Sequence, residues 1–228
     1  MAAARRDPLG GLLDLLLDFV FPARCAGCGR GDGWLCDGCR QSASPAPRDP
    51  CAACGRPGSV RPCPMCDVAG APDRLLAGHL LEGPLREAVH RFKYGDRPQL
   101  ARPLAGLMGP VVDALPGGAL VPVPLHPRRR RQRGYNQAEL LARELADRSG
   151  RGLWLGLVRR RETAPQVGQS GEARRARLEG AFAVTVRPPR EVVLVDDVVT
   201  TGATLLAAAA ALQGAGAARV IAIAATLG

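Results

Sequence analysis

The sequence predicts an α/β fold, a mostly parallel sheet with helices on both faces, preceded by a small metal-binding module. Three observations carry this. The runs ALVPVP (119–124), EVVLVD (191–196) and ARVIAIAAT (218–226) are rich in β-branched residues and nearly continuous in apolar ones, as strands buried on both faces are. They alternate with helical patterns, which places helices against both faces of a parallel sheet. All eight cysteines fall in four CxxC pairs within the first 66 residues. A chain of 228 residues has room for a small module and one well-cored domain. The expected division is a lead-in over 1–24, a module over 25–66 and an α/β domain over 74–228.

The N-terminus carries Arg5 and Arg6 before LGGLLDLLLDFVF, which superficially resembles a secretory signal. Asp14 and Asp18 lie four apart on one face. Leu12, Leu13, Leu16, Leu17 and Val20 supply the apolar side of an amphipathic helix over 9–21. Its apolar face is expected to pack on its own chain. No apolar run approaches the ~20 residues a membrane span needs, and a cytoplasmic location is expected.

The cysteine pairs are Cys25/Cys28, Cys36/Cys39, Cys51/Cys54 and Cys63/Cys66. A CxxC turn aims two thiolates at one ion, and four thiolates complete the tetrahedral shell of zinc. The glycines of CAGCGRG, CDGCR and CAACGRPG leave room for backbone amides to face sulfur. A disulfide framework fits a secreted chain better than a reducing cytoplasm, and redox CxxC motifs do not come four in tandem. Two structural zinc ions are therefore expected. Sequential ribbons would use 25/28/36/39 and 51/54/63/66; an interleaved arrangement would use 25/28/51/54 and 36/39/63/66. In either case every coordination place is filled, and the metal supplies stability rather than chemistry.

Beyond the turn-rich stretch 67–73, strands are expected at 75–81, 119–124, 181–186, 191–196 and 218–225. Helices are expected at 84–93, 98–114, 136–149 and 202–214. The strand EVVLV runs into Asp196 and Asp197, then VVTTGAT, then a helix beginning near Ala203. Backbone amides of a loop from Val198 through Val199 to Thr204 would wrap a phosphate at the helix N-terminus. Thr200, Thr201 and Thr204 add hydroxyls, and Gly202 permits close approach. Two adjacent carboxylates repel phosphate, so Asp196 and Asp197 must meet hydroxyls or a metal. An ordinary capped turn would account for only one or two of these residues.

The segment VVLVDDVVTTGAT (192–204) resembles the phosphoribosyl pyrophosphate signature of type I phosphoribosyltransferases. The resemblance implies that Asp196 and Asp197 bind ribose hydroxyls and that the loop through Thr200, Thr201, Gly202, Ala203 and Thr204 holds the 5′-phosphate. With the cysteine pairs, FKYGDR (92–97), VPVPLHPRRRRQRGYNQAELLAREL (121–145) and TAPQ leading to GAF, nearly the whole chain is similar to the ComF family. Those proteins join a zinc-binding, double-ribbon-like N-terminus to a phosphoribosyltransferase-like domain, and some are linked to competence and DNA uptake. One departure is Arg177, where an Asn before GAF is expected.

This likeness implies magnesium as cofactor and phosphoribosyl pyrophosphate as ligand, with pyrophosphate as leaving group. Neutralising that group calls for preorganised cations. The segment after strand 119–124 holds Leu125 and His126, then Arg128, Arg129, Arg130, Arg131 and Arg133 in six positions. Leu125, His126, Arg129, Arg130 and Arg133 form the candidate pyrophosphate loop, and Arg133 joins Asp196 and Asp197 as candidate catalytic residues. Gly134 offers a hinge, and Asn136 a cap for the following helix. Solvated surface is an equal reading of Arg128 to Arg131. Lys93 and Tyr94, at a helix end, are read as packing residues first and as ligand contacts second.

The formal charge of +10 comes almost wholly from arginine and predicts acidic partners. The resemblance implies DNA or a competence-machinery protein as partner; the clusters Arg159 to Arg161 and Arg174 to Arg177 are a candidate phosphate path or, equally, solvated surface. Aromatics make up 4% of residues, which disfavours a base-stacking platform. No general base or base-reading hood stands out, so the acceptor is open. A non-catalytic module that binds phosphoribosyl pyrophosphate or nucleic acid and regulates a partner is the alternative to a magnesium-dependent transferase.

Overall fold

A computed structural model describes residues 23–31, 33–48, 50–51, 70–161, 178 and 180–228. The expected helix 9–21, Cys54, Cys63, Cys66, the TAPQ segment and Arg174 to Arg177 lie outside the described residues.

Four parallel strands make the central sheet: β1 (Arg74–Leu80), β2 (Ala119–Pro122), β5 (Glu191–Val199) and β6 (Arg219–Leu227), in the order β1-β6-β5-β2. The most apolar runs occupy the centre because a middle strand is covered on both faces. Period-two alternation splits them cleanly. Val193 and Val195 of β5 join Ile221 and Ile223 of β6 in one core layer. Val192 and Leu194 join Val220, Ala222 and Ala224 in the other.

The first layer packs against α2 (Gly83–Tyr94), α3 (Ala101–Asp113) and α5 (Gln137–Ser149) through Phe92, Leu104, Met108, Leu141 and Leu145. The second packs against α6 (Ala203–Gly214), whose Leu205, Ala208, Ala209 and Leu212 are buried. Helices therefore cover both faces, as expected. A two-stranded antiparallel ribbon, β3 (Leu157–Arg159) with β4 (Phe182–Val184), lies beside α6.

Both sheet edges are covered, which suppresses edge-to-edge pairing. Outside β2, Leu120 N–H donates to Gly152 O at 2.8 Å and Trp154 N–H to Leu120 O at 2.9 Å. Outside β1, the chain leaving the cysteine module bonds antiparallel: Ala46 N–H to Gly78 O at 3.1 Å and Leu80 N–H to Ser44 O at 2.8 Å. The module itself, with the short helix α1 (Asp37–Gln41), shares the first core layer through Cys25, Ala26, Leu35, Cys36 and Cys39.

Four differences from the sequence reading matter. The arginine run is not a loop: Pro127–Arg133 is helix α4, with Pro127 in its first turn and Gly134 closing it at φ 77°. Arginine favours helix, and proline is preorganised for a helix start. The helix read as 98–114 begins with a tighter 3-10 turn, Pro98–Leu100. Strand β3 was not anticipated. The carboxylates do not end β5, which runs on to Val199 because β6 extends to Leu227 and keeps pairing it.

Candidate functional site

The cysteine module closes on one point. Sγ atoms of Cys25, Cys28, Cys36 and Cys39 all lie within 4.8 Å of one another. Cys25 to Cys39 is 3.6 Å and Cys28 to Cys36 is 3.8 Å. Zn–S bonds of about 2.3 Å on a tetrahedron give S···S edges of ~3.8 Å, so the four sulfurs fit zinc. Gly29, at φ 76°, turns the knuckle, and the Cys36 amide donates to Cys25 Sγ at 3.3 Å. Arg30, through its backbone amide and its side chain, lowers the Cys28 thiol to about 6. Burial and the neighbouring sulfurs push Cys39 up. Four thiolates cannot share this space without a cation. The grouping is sequential at this first site.

The second site stands at the C-terminal end of β5. Asp196 and Asp197 are consecutive in β5, and their carboxyl groups interact directly. Asp197, only 6% exposed, lies on the α2 side, where Lys93 Nζ reaches its Oδ1 at 3.2 Å. Asp196 lies on the ribbon side and interacts electrostatically with Arg159 of β3. The Asp197 amide donates to Asp196 Oδ1 at 2.9 Å. Burial first, then the Asp197 charge, raises the Asp196 carboxyl to about 7, with Lys93 opposing. Arg159 is pushed down by burial and by Arg129, while Asp196 pulls it up. Arg129 of α4 therefore belongs to this neighbourhood.

Val198 and Val199 are ladder residues paired with Thr226 and Leu227, and Val199 is buried in the core, so the turn proper is shorter than the expected loop. It comprises Thr200, Thr201 and Gly202. Gly202 is the N-cap of α6 at φ 68°, a conformation costly for any other residue, and Ala203 and Thr204 open the helix. The free amides of a helix N-terminus point at such a turn.

The motifs FKYGDR and RGYNQ meet beside it. Tyr135 Oη donates to Phe92 O at 2.7 Å and accepts from Arg97 N–H at 3.1 Å. Gln137 Nε2 donates to Phe92 O at 3.2 Å. Arg133 donates to Tyr94 Oη and to Gln137 Oε1, each at 3.3 Å, and its guanidinium sits 4.8 Å from the Tyr94 ring centroid. Gly95 is required here: a Cβ would stand 2.8 Å from Arg91 O.

Arg130 is held at 3.3 Å by Glu139, which also takes Arg143 at 2.8 Å. His126 caps α4, its Nδ1 accepting from the Arg128 amide at 3.4 Å, and Leu125 precedes it in irregular chain. Asn136 does not cap α5 with its side chain. It is buried, and its Nδ2 donates to Val123 O at 3.0 Å, tying α5 to the end of β2. Lys93, read from sequence as packing first and ligand contact second, is the partner of Asp197. Its place after the buried Phe92 and before Gly95 was the available signal.

A parallel α/β sheet ending in this turn, fused to a sulfur cluster, defines a phosphoribosyltransferase-fold protein with an N-terminal zinc ribbon. The phosphoribosyl transferase domain family matches residues 132–227, and the double zinc ribbon domain family matches residues 16–67. The chain is 35% identical over 215 residues to competence protein F of Haemophilus influenzae, covering 81% of this chain and 88% of that one. It is 32% identical over 190 residues to the DNA utilization protein YhgH of Escherichia coli K12, covering 75% and 80%. Against competence protein ComFC of Bacillus subtilis it is 29% identical over 186 residues, covering 76% and 75%. The chain belongs to the competence protein F, or ComF, family. No helix among the described residues is long and apolar enough to cross a membrane.

Proposed function

We propose that the protein binds phosphoribosyl pyrophosphate and transfers its ribosyl group to an acceptor with release of pyrophosphate. The observation that carries the reading is the juxtaposition, within nine residues, of two carboxylates in the last residues of the β5 ladder and a left-handed glycine capping a helix. The 5′-phosphate would accept from the Thr200 to Thr204 turn and the α6 N-terminus. Asp196 and Asp197 would accept from the ribose hydroxyls. Arg129, Arg159 and Arg133 would meet the leaving group.

In the transfer, the C1′–O bond breaks with its electron pair passing to pyrophosphate, and the acceptor's lone pair forms the new bond to C1′. The chain's cations stabilise the departing charge. Magnesium fits the donor set, since the two carboxylates offer hard oxygens whose mutual repulsion a cation relieves. When bound it would supply Lewis-acid stabilisation. Lys93 would balance Asp197 before ligand arrives and free it on binding.

A second reading is supported by the relatives' names, competence protein and DNA utilization protein. In it, ligand binding without turnover controls a DNA or competence-machinery partner in the cytoplasm. Phosphoribosyl pyrophosphate with magnesium should raise the unfolding midpoint, corresponding to about 2.7 kcal/mol at a hundredfold excess over Kd. No shift at any concentration overturns both readings. Pyrophosphate release with a nucleobase panel supports the transferase, and stabilisation without release supports the regulator.

A further inference from the structure

Away from the β5–α6 turn, the cysteine module and the helices α3 and α5 enclose a groove of about 260 Å³. Arg40, Arg102 and Arg148 line it, with Trp34 and Leu35 from the module and Gly106 in the α3 wall. No carboxylate lines it. Arg40 pairs with Asp37 at 2.7 Å, whereas Arg102 and Arg148 form no ion pair among the described residues.

Both guanidinium groups are exposed to solvent at the groove, and the placement of Arg148 has a local cause. Arg148 ends α5 and lies across Gly109 of α3, its Nη2 only 3.2 Å from where a Cβ would stand, so any side chain there would displace it. A Cβ on Gly106 would meet nothing within 4 Å, so the wall at that point opens into space. The Trp34 ring is held by the Arg97 guanidinium, 5.4 Å from its centroid. Guanidinium forks match phosphate oxygens, and an indole beside them suits a flat ring.

We infer that this groove is a second phosphate-ester site, separate from the β5–α6 turn, taking a nucleotide either free or as a unit of a single strand. Arg102 and Arg148 hold the phosphate, and Trp34 flanks the base. A groove of this size accepts one such unit rather than a duplex.

The test uses Trp34 emission in the zinc-loaded full chain carrying Trp154→Phe, which leaves Trp34 as the sole tryptophan of the two. Thymidine 5′-monophosphate and a short oligothymidylate are titrated in parallel. A saturable change with the mononucleotide assigns the free nucleotide, and one with the oligomer alone assigns the strand; either upholds the site. Arg102→Gln with Arg148→Gln should weaken binding at least about tenfold, and for the oligomer should flatten the log-log salt slope by about 1.4, two contacts at ~0.7 each. Gly106→Leu should weaken binding similarly by filling the groove while leaving the arginines in place. Asp197→Asn should leave this binding unchanged, which separates its failure from that of the phosphoribosyl pyrophosphate reading. Silence from both probes, or undiminished affinity in both the double arginine variant and Gly106→Leu, overturns the inference.

Discussion

Cys36→Ser is expected to cost the protein about one metal ion and the fold of its N-terminal module. Cys36 is 6% exposed, starts α1, and its amide bonds Cys25 Sγ, so one substitution removes a ligand and disturbs a second. Structural zinc contributes about 10–16 kcal/mol in isolated finger peptides at neutral pH, far more than this module's few large apolar side chains can replace. The loss does not stay local. Ala26 and Leu35 share a core layer with Leu85 and Phe92, and a Cβ on Gly27 would stand 2.7 Å from Pro84 Cβ, so module and α2 are packed face to face. Unfolding the module uncovers that face. Metal analysis and thermal unfolding should therefore fall together, and a chelator should reproduce the effect on the parent. A variant with full metal content and the parent midpoint contradicts the assignment.

Lys93→Ala is expected to destabilise the protein by on the order of 2 kcal/mol near pH 8, and by less in acid. Removing one member of a buried pair leaves the other charge uncompensated at a cost of about 3–5 kcal/mol, and the partial exposure of Lys93 reduces this. The pH dependence follows from Asp196. Its ordinary value of 3.8 is raised to about 7 in the folded chain, so between those values the folded state keeps a proton the unfolded state has lost. Stability therefore falls as pH rises from about 4 through about 7. Lys93 opposes the raised value, so its removal should extend the fall to higher pH. Adding Asp197→Asn to Lys93→Ala should recover most of the loss, because the orphaned charge is gone. Denaturant unfolding across pH reads all of this; equal stability of Lys93→Ala and parent at pH 8 contradicts it.

The central strands were legible because their runs are apolar on both faces, and the turn because carboxylates, threonines and Gly202 follow one another in sequence. The first four cysteines were legible as metal ligands, although only their folded positions separated sequential from interleaved grouping. Lys93 was legible as a ligand contact only as the second of two readings. Its partner lies on a strand far along the chain, and neither motif alone says that α2 ends beside β5. The end of β5 was misjudged because two carboxylates look like a strand terminus; the ladder to Thr226 and Leu227 decides otherwise. The arginine run hid a helix whose local signals, His126 then Pro127 before and Gly134 after, were outweighed by its charge. Asn136 had capping chemistry and position, but a backbone carbonyl of Val123 took its side chain instead.

Calorimetric titration of phosphoribosyl pyrophosphate with magnesium into the zinc-loaded chain, and into Asp196→Asn with Asp197→Asn, tests the central claim most directly. Loss of two charge-assisted hydrogen-bonding groups, each worth about 1.5–3 kcal/mol, predicts at least a hundredfold weaker binding in the double variant. Equal heats and equal affinity in the two proteins would contradict the account.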